Sequence, residues 1–495
     1  MTASLAESFA AHAAARPAAT ALIWADRHIS YGELHTMAVC ARAQVEAAVP
    51  DPARPAGLFV KKSPEAVALV LGCLLAGRSF LLPSHELPRE PLQTLYRRAG
   101  CEVVLGVADG PLVDRVVDVD RTEAGHRPPA AVADEAIGFM LTTSGSTGLP
   151  KIVPLGTAAV ARFTAWGTEA FALGAGTRVL SYAPLNFDLS MLEVWTTLAA
   201  GGTVVLADPD RAAGPAYLHS LVSDHQVSLI QGVPLLFQLL TEAAADAGPL
   251  PAPEHLVFGG ESFPDRVLGP LPAVFPGARW YNNYGCTETN NSFLYEVDRT
   301  RPVRAPLPIG TPLPGVSWLI EGADGRAVSA GQGELLVNTP FQTRGYLGTA
   351  DSLRFGPHRD GVPGLPYYRT GDLVERAADG TVTVLGRTDF MVKVLGQRIS
   401  TQSVEQILLR HPAVTEAAVV ALPDPVAGNR LHASLRLTAP DAANSLALRS
   451  HCARHTVRAA IPTTYDLVTE PLPKTSSGKI DRSRVKERLL ASGAR

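Results

Sequence analysis

Along the first 135 residues, short apolar runs alternate with longer stretches whose apolar positions return at helical spacing. The pattern predicts a strand end at 29–30 turning into a helix through Ala48, a strand at 57–60 and a helix over 65–76. A strand at 79–83, a helix around 93–99 and a strand at 102–106 follow. After a polar loop the alternation resumes, with strands at 179–182, 203–206, 227–230 and 255–258. Helices are expected between them at 189–198, 218–225 and 235–245. Strand and helix in turn imply a largely parallel α/β sheet.

From about residue 300 the texture changes. Short strands at 333–337, 367–372 and 381–385 are set off by Gly/Pro turns, as in a small antiparallel or barrel-like unit. Beyond 386–389 lies a compact tail, 390–495, small enough to be a separate mobile lobe. The expected fold class is therefore α/β with an α+β tail. A large N-terminal core, 1–385, contains layered, mostly parallel sheets and a β-rich subdomain at 300–385.

Composition narrows the functional classes. A chain of 495 residues exceeds one ordinary core, and 46% hydrophobic with 18% charged residues describes a globular protein. The net charge of −3 leaves no basic footprint for nucleic acid or acidic membranes. Five scattered cysteines without a C-x-x-C pair argue against a disulfide framework or structural zinc, so a reducing cytoplasm is expected. The N-terminus lacks the order of a signal peptide. The apolar stretch 66–77 stops at Arg78, short of the ~20 residues a membrane helix needs. Only seven of 44 basic residues are lysines, so each retained lysine hints at a specific need.

The chemistry concentrates at 139–153, where an apolar run ends in Thr142-Thr143-Ser144-Gly145-Ser146-Thr147-Gly148-Leu149-Pro150-Lys151. A strand feeding such a loop can turn backbone N–H groups toward an anion. Thr143, Ser144, Ser146 and Thr147 add hydroxyls, and Lys151 adds a cation at the rim. These residues suit a polyphosphate, although the G-x-x-x-x-G-K-[ST] spacing is missing. An ordinary Ser/Gly connector has the same composition. The rest of the chain decides between them.

Further motifs follow in order: Ser30-Tyr31-Gly32-Glu33-Leu34, Asn186-Phe187-Asp188-Leu189-Ser190, Asn282-Asn283-Tyr284-Gly285-Cys286-Thr287-Glu288 and Gly333-Glu334-Leu335. Then come Arg344-Gly345-Tyr346-Leu347, Tyr368-Arg369-Thr370-Gly371-Asp372-Leu373, Gly386-Arg387-Thr388-Asp389 and Ser477-Gly478-Lys479-Ile480-Asp481-Arg482. Together they resemble the adenylate-forming enzymes along nearly the whole chain. The similarity is greatest to amino-acid adenylation domains of nonribosomal peptide synthesis and to D-alanyl carrier protein ligases. Ile152 in place of glycine, Cys286 in place of proline, the segment 338–340 and the wording of 399–402 depart from that pattern.

The resemblance implies activation of a carboxylate by attack on the α-phosphorus of ATP, with Mg²⁺ bound. Lys479 would stabilise the developing charge, Glu288 would hold the metal, and Thr143 would join them in catalysis. Nucleotide contacts would come from Thr143, Ser144, Gly145, Ser146, Thr147, Gly148, Lys151, Asn283, Tyr284, Gly285, Thr287, Asp372, Arg387 and Lys479. Tyr284 would stack on adenine, and Asp372 would accept the ribose hydroxyls. Residues 386–389 would form a hinge centred on Asp389, after whose rotation Lys393, Gly396 and Arg398 would face the active site or the pantetheine arm.

By the same resemblance Asp188 would pair with a substrate ammonium, a sensible partner for a half-buried carboxylate. A helix N-cap is the structural alternative. Asp188, Leu192 and Trp195 would share a helix face. The pocket is expected to comprise Asp188, Leu189, Leu192, Gln231, Val257, Gly259, Asn283, Asn291 and Ser292. It would suit a small polar amino acid or glycine, with proline second. The chain ends soon after Lys479 without a carrier-protein serine motif. The acceptor is therefore expected to be the phosphopantetheine thiol of a separate peptidyl carrier protein, and a small accessory activator is left open. The alternatives are an acyl- or aryl-CoA ligase and a silent nucleotide-binding protein.

Overall fold

The computed structural model describes residues 3–120, 127–143, 150–348, 354–394, 397–424, 428–456, 458–475 and 478–491. Two sheets form the body. The first runs Arg115–Val116, Val104–Gly106, Ala56–Leu58, Phe80–Leu81, Ile137–Thr143, Lys151–Gly156, with every pairing parallel except the last. The second has nine strands. From one edge they are Thr311–Pro312, Asn290–Glu296, Arg279–Cys286, His255–Phe258, Leu229–Gly232, Arg178–Ser181, Thr203–Leu206, Thr20–Trp24 and Arg27–Ser30. The pairings from Arg279–Cys286 to Thr20–Trp24 are parallel and the outer ones antiparallel.

Central strands such as Thr203–Leu206 are apolar on both faces and need cover on both sides. Helices Tyr31–Ala48 and Pro64–Leu75 supply part of that cover. They pack so closely that a Cβ on Gly72 would lie 2.7 Å from Ala41 Cβ. The first of these helices opens on a capping box, with Ser30 and Glu33 satisfying each other's backbone N–H groups.

The β-rich region is an antiparallel sheet of Ala327–Val328, Ser317–Glu321, Gly331–Asn338, Tyr367–Arg376 and Phe355–Gly356, with Val382–Arg387 added to Tyr367–Arg376. The Ile309 N–H donates to Val382 O at 2.9 Å and joins it to the nine-stranded sheet. The tail holds a hairpin, Met391–Val394 with Gln397–Ser400, and a three-stranded sheet, Val414–Asp424, Gly428–Leu437 and Thr464–Val468. Val404, Leu408, Val419, Leu435 and Leu448 give this tail a core of its own. No helix among the described residues is long and apolar enough to cross a membrane.

One predicted helix differs in kind. The segment 189–198 is π-helical over Met191–Thr196, with only Thr197–Ala199 as α-helix. Within it the Trp195 ring packs 5.6 Å from that of Phe139 in the core.

Candidate active site

Thr143 and Lys151 are paired across the neck of a hairpin, where the apolar strand Ile137–Thr143 stops. Ser144, Gly145, Ser146, Thr147 and Gly148 lie outside the described residues. Lys151 is held by its neighbours: its Nζ sits 4.5 Å over the Tyr346 ring. The same tyrosine donates its hydroxyl to Glu288 Oε1 at 2.6 Å. Thr343 locks the two segments together. Its N–H donates to Glu288 O at 2.9 Å and its hydroxyl to Pro154 O at 2.6 Å. Loop neck, Glu288 and the 343–347 segment thus form one corner.

Beside it, Tyr284 donates to Asp372 Oδ2 at 2.5 Å, and Arg387 donates to Asp372 Oδ1 at 3.0 Å. Burial, and then the Asp372 charge, push the Tyr284 phenol well above its usual range, so it stays a neutral donor. Gly285 lies where the pairing of Arg279–Cys286 with Asn290–Glu296 shifts register. A Cβ there would fall 1.9 Å from Asn290 O, so only glycine fits. The departure at Cys286 is accommodated locally, with Sγ 3.2 Å from Thr289 Oγ1.

Asp188 stands on the turn after the strand Arg178–Ser181, and its Oδ2 accepts the Thr287 hydroxyl at 2.6 Å. Burial pushes its carboxyl above the usual range, opposed by Thr287 and by the Lys479 charge. Leu189 and Gly259 adjoin it, 3.3 Å separating Leu189 Cδ2 from a Gly259 Cβ position. Gln231 is buried and donates to Leu189 O at 2.9 Å, so its amide holds the pocket wall. Leu192 and Val257 lie in the main core, and Ser292 is buried 3.2 Å from Thr289 Oγ1. Asn291 is half-exposed, and the buried Asn283 Oδ1 has no hydrogen-bond partner among the described residues.

Lys479 reaches this space from the tail. Its Nζ is 5.7 Å from the Phe187 ring centroid, next to Asp188. The Thr475 N–H donates to Lys479 O at 2.7 Å, closing a tight turn. Arg482 anchors the turn through a bidentate pair with the buried Glu405, at 2.8 and 2.6 Å. Glu261, from the opposite side, faces Lys479, Arg482 and Lys474. The side chains of Asp389, Lys393 and Arg398 and all of Gly396 lie outside the described residues. The Asp389 backbone is in the turn Thr388–Phe390.

A hydroxyl-bearing loop neck with a lysine, a buried glutamate, a Tyr–Asp–Arg cluster and a lysine arriving from the tail lie close to one another. Residues 9–347 match the family model described as AMP-binding enzyme, and residues 403–479 match the AMP-binding enzyme C-terminal domain. The chain belongs to the AMP-binding enzyme family. It is an ATP-dependent, AMP-forming ligase. The L-proline–[L-prolyl-carrier protein] ligase of Pseudomonas fluorescens is 32% identical over 464 residues, 93% of this chain and 87% of that one. The D-alanine–D-alanyl carrier protein ligase of Bacillus cereus is 26% identical, with coverage of 96% and 97%. The fold matches that of an o-succinylbenzoate CoA synthetase from Bacillus subtilis, with TM-score 0.84 and 23% identity over 97% of this chain and 98% of that one.

Tyr346 lies within a sequence motif that gives it no role of its own, because a tyrosine's partners across the fold leave no local pattern. Glu193 carries no signal in the sequence, and Lys62 stands out there only as one of the scarce lysines.

Proposed function

We propose that this AMP-binding enzyme activates an amino acid as aminoacyl-AMP, releasing pyrophosphate. It then passes the aminoacyl group to the phosphopantetheine thiol of a separate carrier protein. The observation that carries this reading is the convergence of Asp188 and Lys479 on one space beside Phe187. Asp188 would take the ammonium, which leaves the carboxylate of a small substrate directed toward the nucleotide. There a carboxylate oxygen attacks the α-phosphorus and pyrophosphate leaves, with Lys479 stabilising the added negative charge.

Glu288 fits a Mg²⁺ ligand. It is buried, with one carboxylate oxygen oriented by Tyr346. Among the described residues no three His, Cys, Asp or Glu side chains cluster, so the remaining ligands would be phosphate oxygens and water, the usual Mg²⁺ set. The ion would offset phosphate charge. The chain's own residues do the positioning: Thr143 and Lys151 at the phosphates, Tyr284, Asn283 and Gly285 at the base, Asp372 and Arg387 at the ribose. Residues 386–389 would serve as the hinge for the second half-reaction.

A small polar amino acid or glycine is the favoured substrate, supported by the buried Asn283 Oδ1, which has no partner among the described residues. Proline is second, and the 32% identical relative is named for it. The test is pyrophosphate release from Mg-ATP across the twenty common amino acids, several D- and β-amino acids, and benzoate. A peak on one amino acid supports the reading. Turnover with benzoate or a fatty acid alone would replace it with an acyl- or aryl-CoA ligase.

A further inference from the structure

Near the Asp188 turn lie two buried charged groups that the proposed reaction does not use. Lys62 is 6% and Glu193 0% exposed. Lys62 Nζ donates to three successive carbonyls, Ser181 O at 2.7 Å, Tyr182 O at 3.0 Å and Ala183 O at 3.1 Å. Glu193 Oε2 accepts the Ala183 N–H at 3.0 Å across ten residues of sequence. Asp188 is midway along the loop this bond closes. Gln231, which holds Leu189 O, also faces Glu193. Inside the loop, Ser190 Oγ donates to Leu185 O at 2.9 Å.

Two charges removed from water are a costly way to hold a turn, since burial penalises each. Burial does press the Lys62 ammonium down and the Glu193 carboxyl up, each opposed by the charge of the other. A well-packed apolar pair would stabilise such a core as well. What the ions supply is direction. One ammonium gathers three carbonyls from the strand end, and one carboxylate ties that end to the π-helical segment Met191–Thr196. Glu193 thereby ties the two ends of the loop carrying Asp188 together, and Lys62 fixes the strand end.

We propose that Lys62 and Glu193 are positioning residues for amino-acid recognition, closing the loop that carries Asp188 and setting where its carboxylate points. This rests on the reading of Asp188 as the ammonium partner.

The test compares Lys62→Met/Glu193→Gln, Glu193→Gln, Lys62→Arg and Asp188→Asn. Pyrophosphate release is measured while titrating the panel amino acid that the wild-type enzyme turns over, and separately ATP. The double variant leaves no unpaired buried charge. Its KM for the amino acid is expected to rise roughly 10- to 100-fold, the scale of a ~1 Å misplacement. Its KM for ATP should stay within about threefold, as for removal of an interaction confined to one substrate. Lys62→Arg, which keeps the cation and its donors, should stay close to the wild-type amino-acid KM.

Wild-type amino-acid KM in the folded double variant would overturn the proposal. So would an equal rise in both KM values accompanied by a lowered Tm, the mark of a merely structural pair. Should the double variant not fold, Glu193→Gln decides alone: a selective rise in amino-acid KM supports the proposal, and an unchanged one removes it. Asp188→Asn separates the two layers. If it too leaves the amino-acid KM unchanged, the ammonium reading falls and the inference falls with it. If it raises that KM while the Lys62 and Glu193 variants do not, only the inference is lost.

Discussion

The Thr287 hydroxyl donates to Asp188 Oδ2 at 2.6 Å, across 99 residues of sequence, and Thr287 is the chain neighbour of Glu288. The proposed ammonium partner is thus tied to the strand-turn that carries the proposed metal carboxylate. A hydrogen bond to a charged group contributes about 1.5–3 kcal/mol. Thr287→Val is therefore expected to raise the amino-acid KM about 10-fold or more, since ~1.4 kcal/mol is tenfold. Steady-state titration of amino acid and ATP separately checks it, with the ATP KM little changed.

The Asp188 carboxyl is raised by burial, and binding of an ammonium requires it ionised. The amino-acid KM should therefore climb as pH falls, beginning above the ordinary carboxylate range. Linkage sets the sign for the free enzyme: a raised carboxyl contributes stability below its unfolded pKa and loses it as pH rises through the folded one. Amino-acid binding then compensates the ionised form. The rise in Tm on adding the amino acid should be larger at high pH than at low pH, and Asp188→Asn should flatten the difference.

Tyr346 links Lys151 to Glu288, under the ammonium on its face and through its hydroxyl at its tip. Tyr346→Phe keeps the ring and removes the hydroxyl. The Mg²⁺ concentration giving half-maximal adenylation is expected to rise ~10-fold, from one lost charged hydrogen bond. ATP affinity without metal, measured by calorimetry, should change little.

Lys479→Ala is expected to slow adenylation by ~10²-fold or more while sparing ATP binding. Arg482→Gln breaks the fork to Glu405 that anchors the same turn, so it should slow adenylation by a smaller factor without removing the reacting cation. Single-turnover pyrophosphate release separates the two. Similar rates in Lys479→Ala and wild type would remove Lys479 from the mechanism.

Much of the fold was legible along the chain. The strand at Thr203–Leu206 and the helix starting at Tyr31 emerge where apolar spacing and the Ser30–Glu33 box place them, because both are local in origin. The antiparallel texture after residue 300 was equally readable from its turn residues. The winding of Met191–Thr196 was not. Its apolar spacing suits an α-helix, and the side chains of the wider turn pack against the core around Phe139 and Gly167.

The sequence by itself determined the family, the order of the motifs and the charged residues available to a nucleotide and an acid, because each motif is a short run whose chemistry is written in neighbouring residues. Tertiary structure alone decided which of those groups meet. Thr287 finds Asp188, Tyr346 finds Glu288, and Lys62 finds the carbonyls of Ser181, Tyr182 and Ala183 across long separations. Such contacts are set by how the two sheets and the tail stack, and no local spacing encodes them.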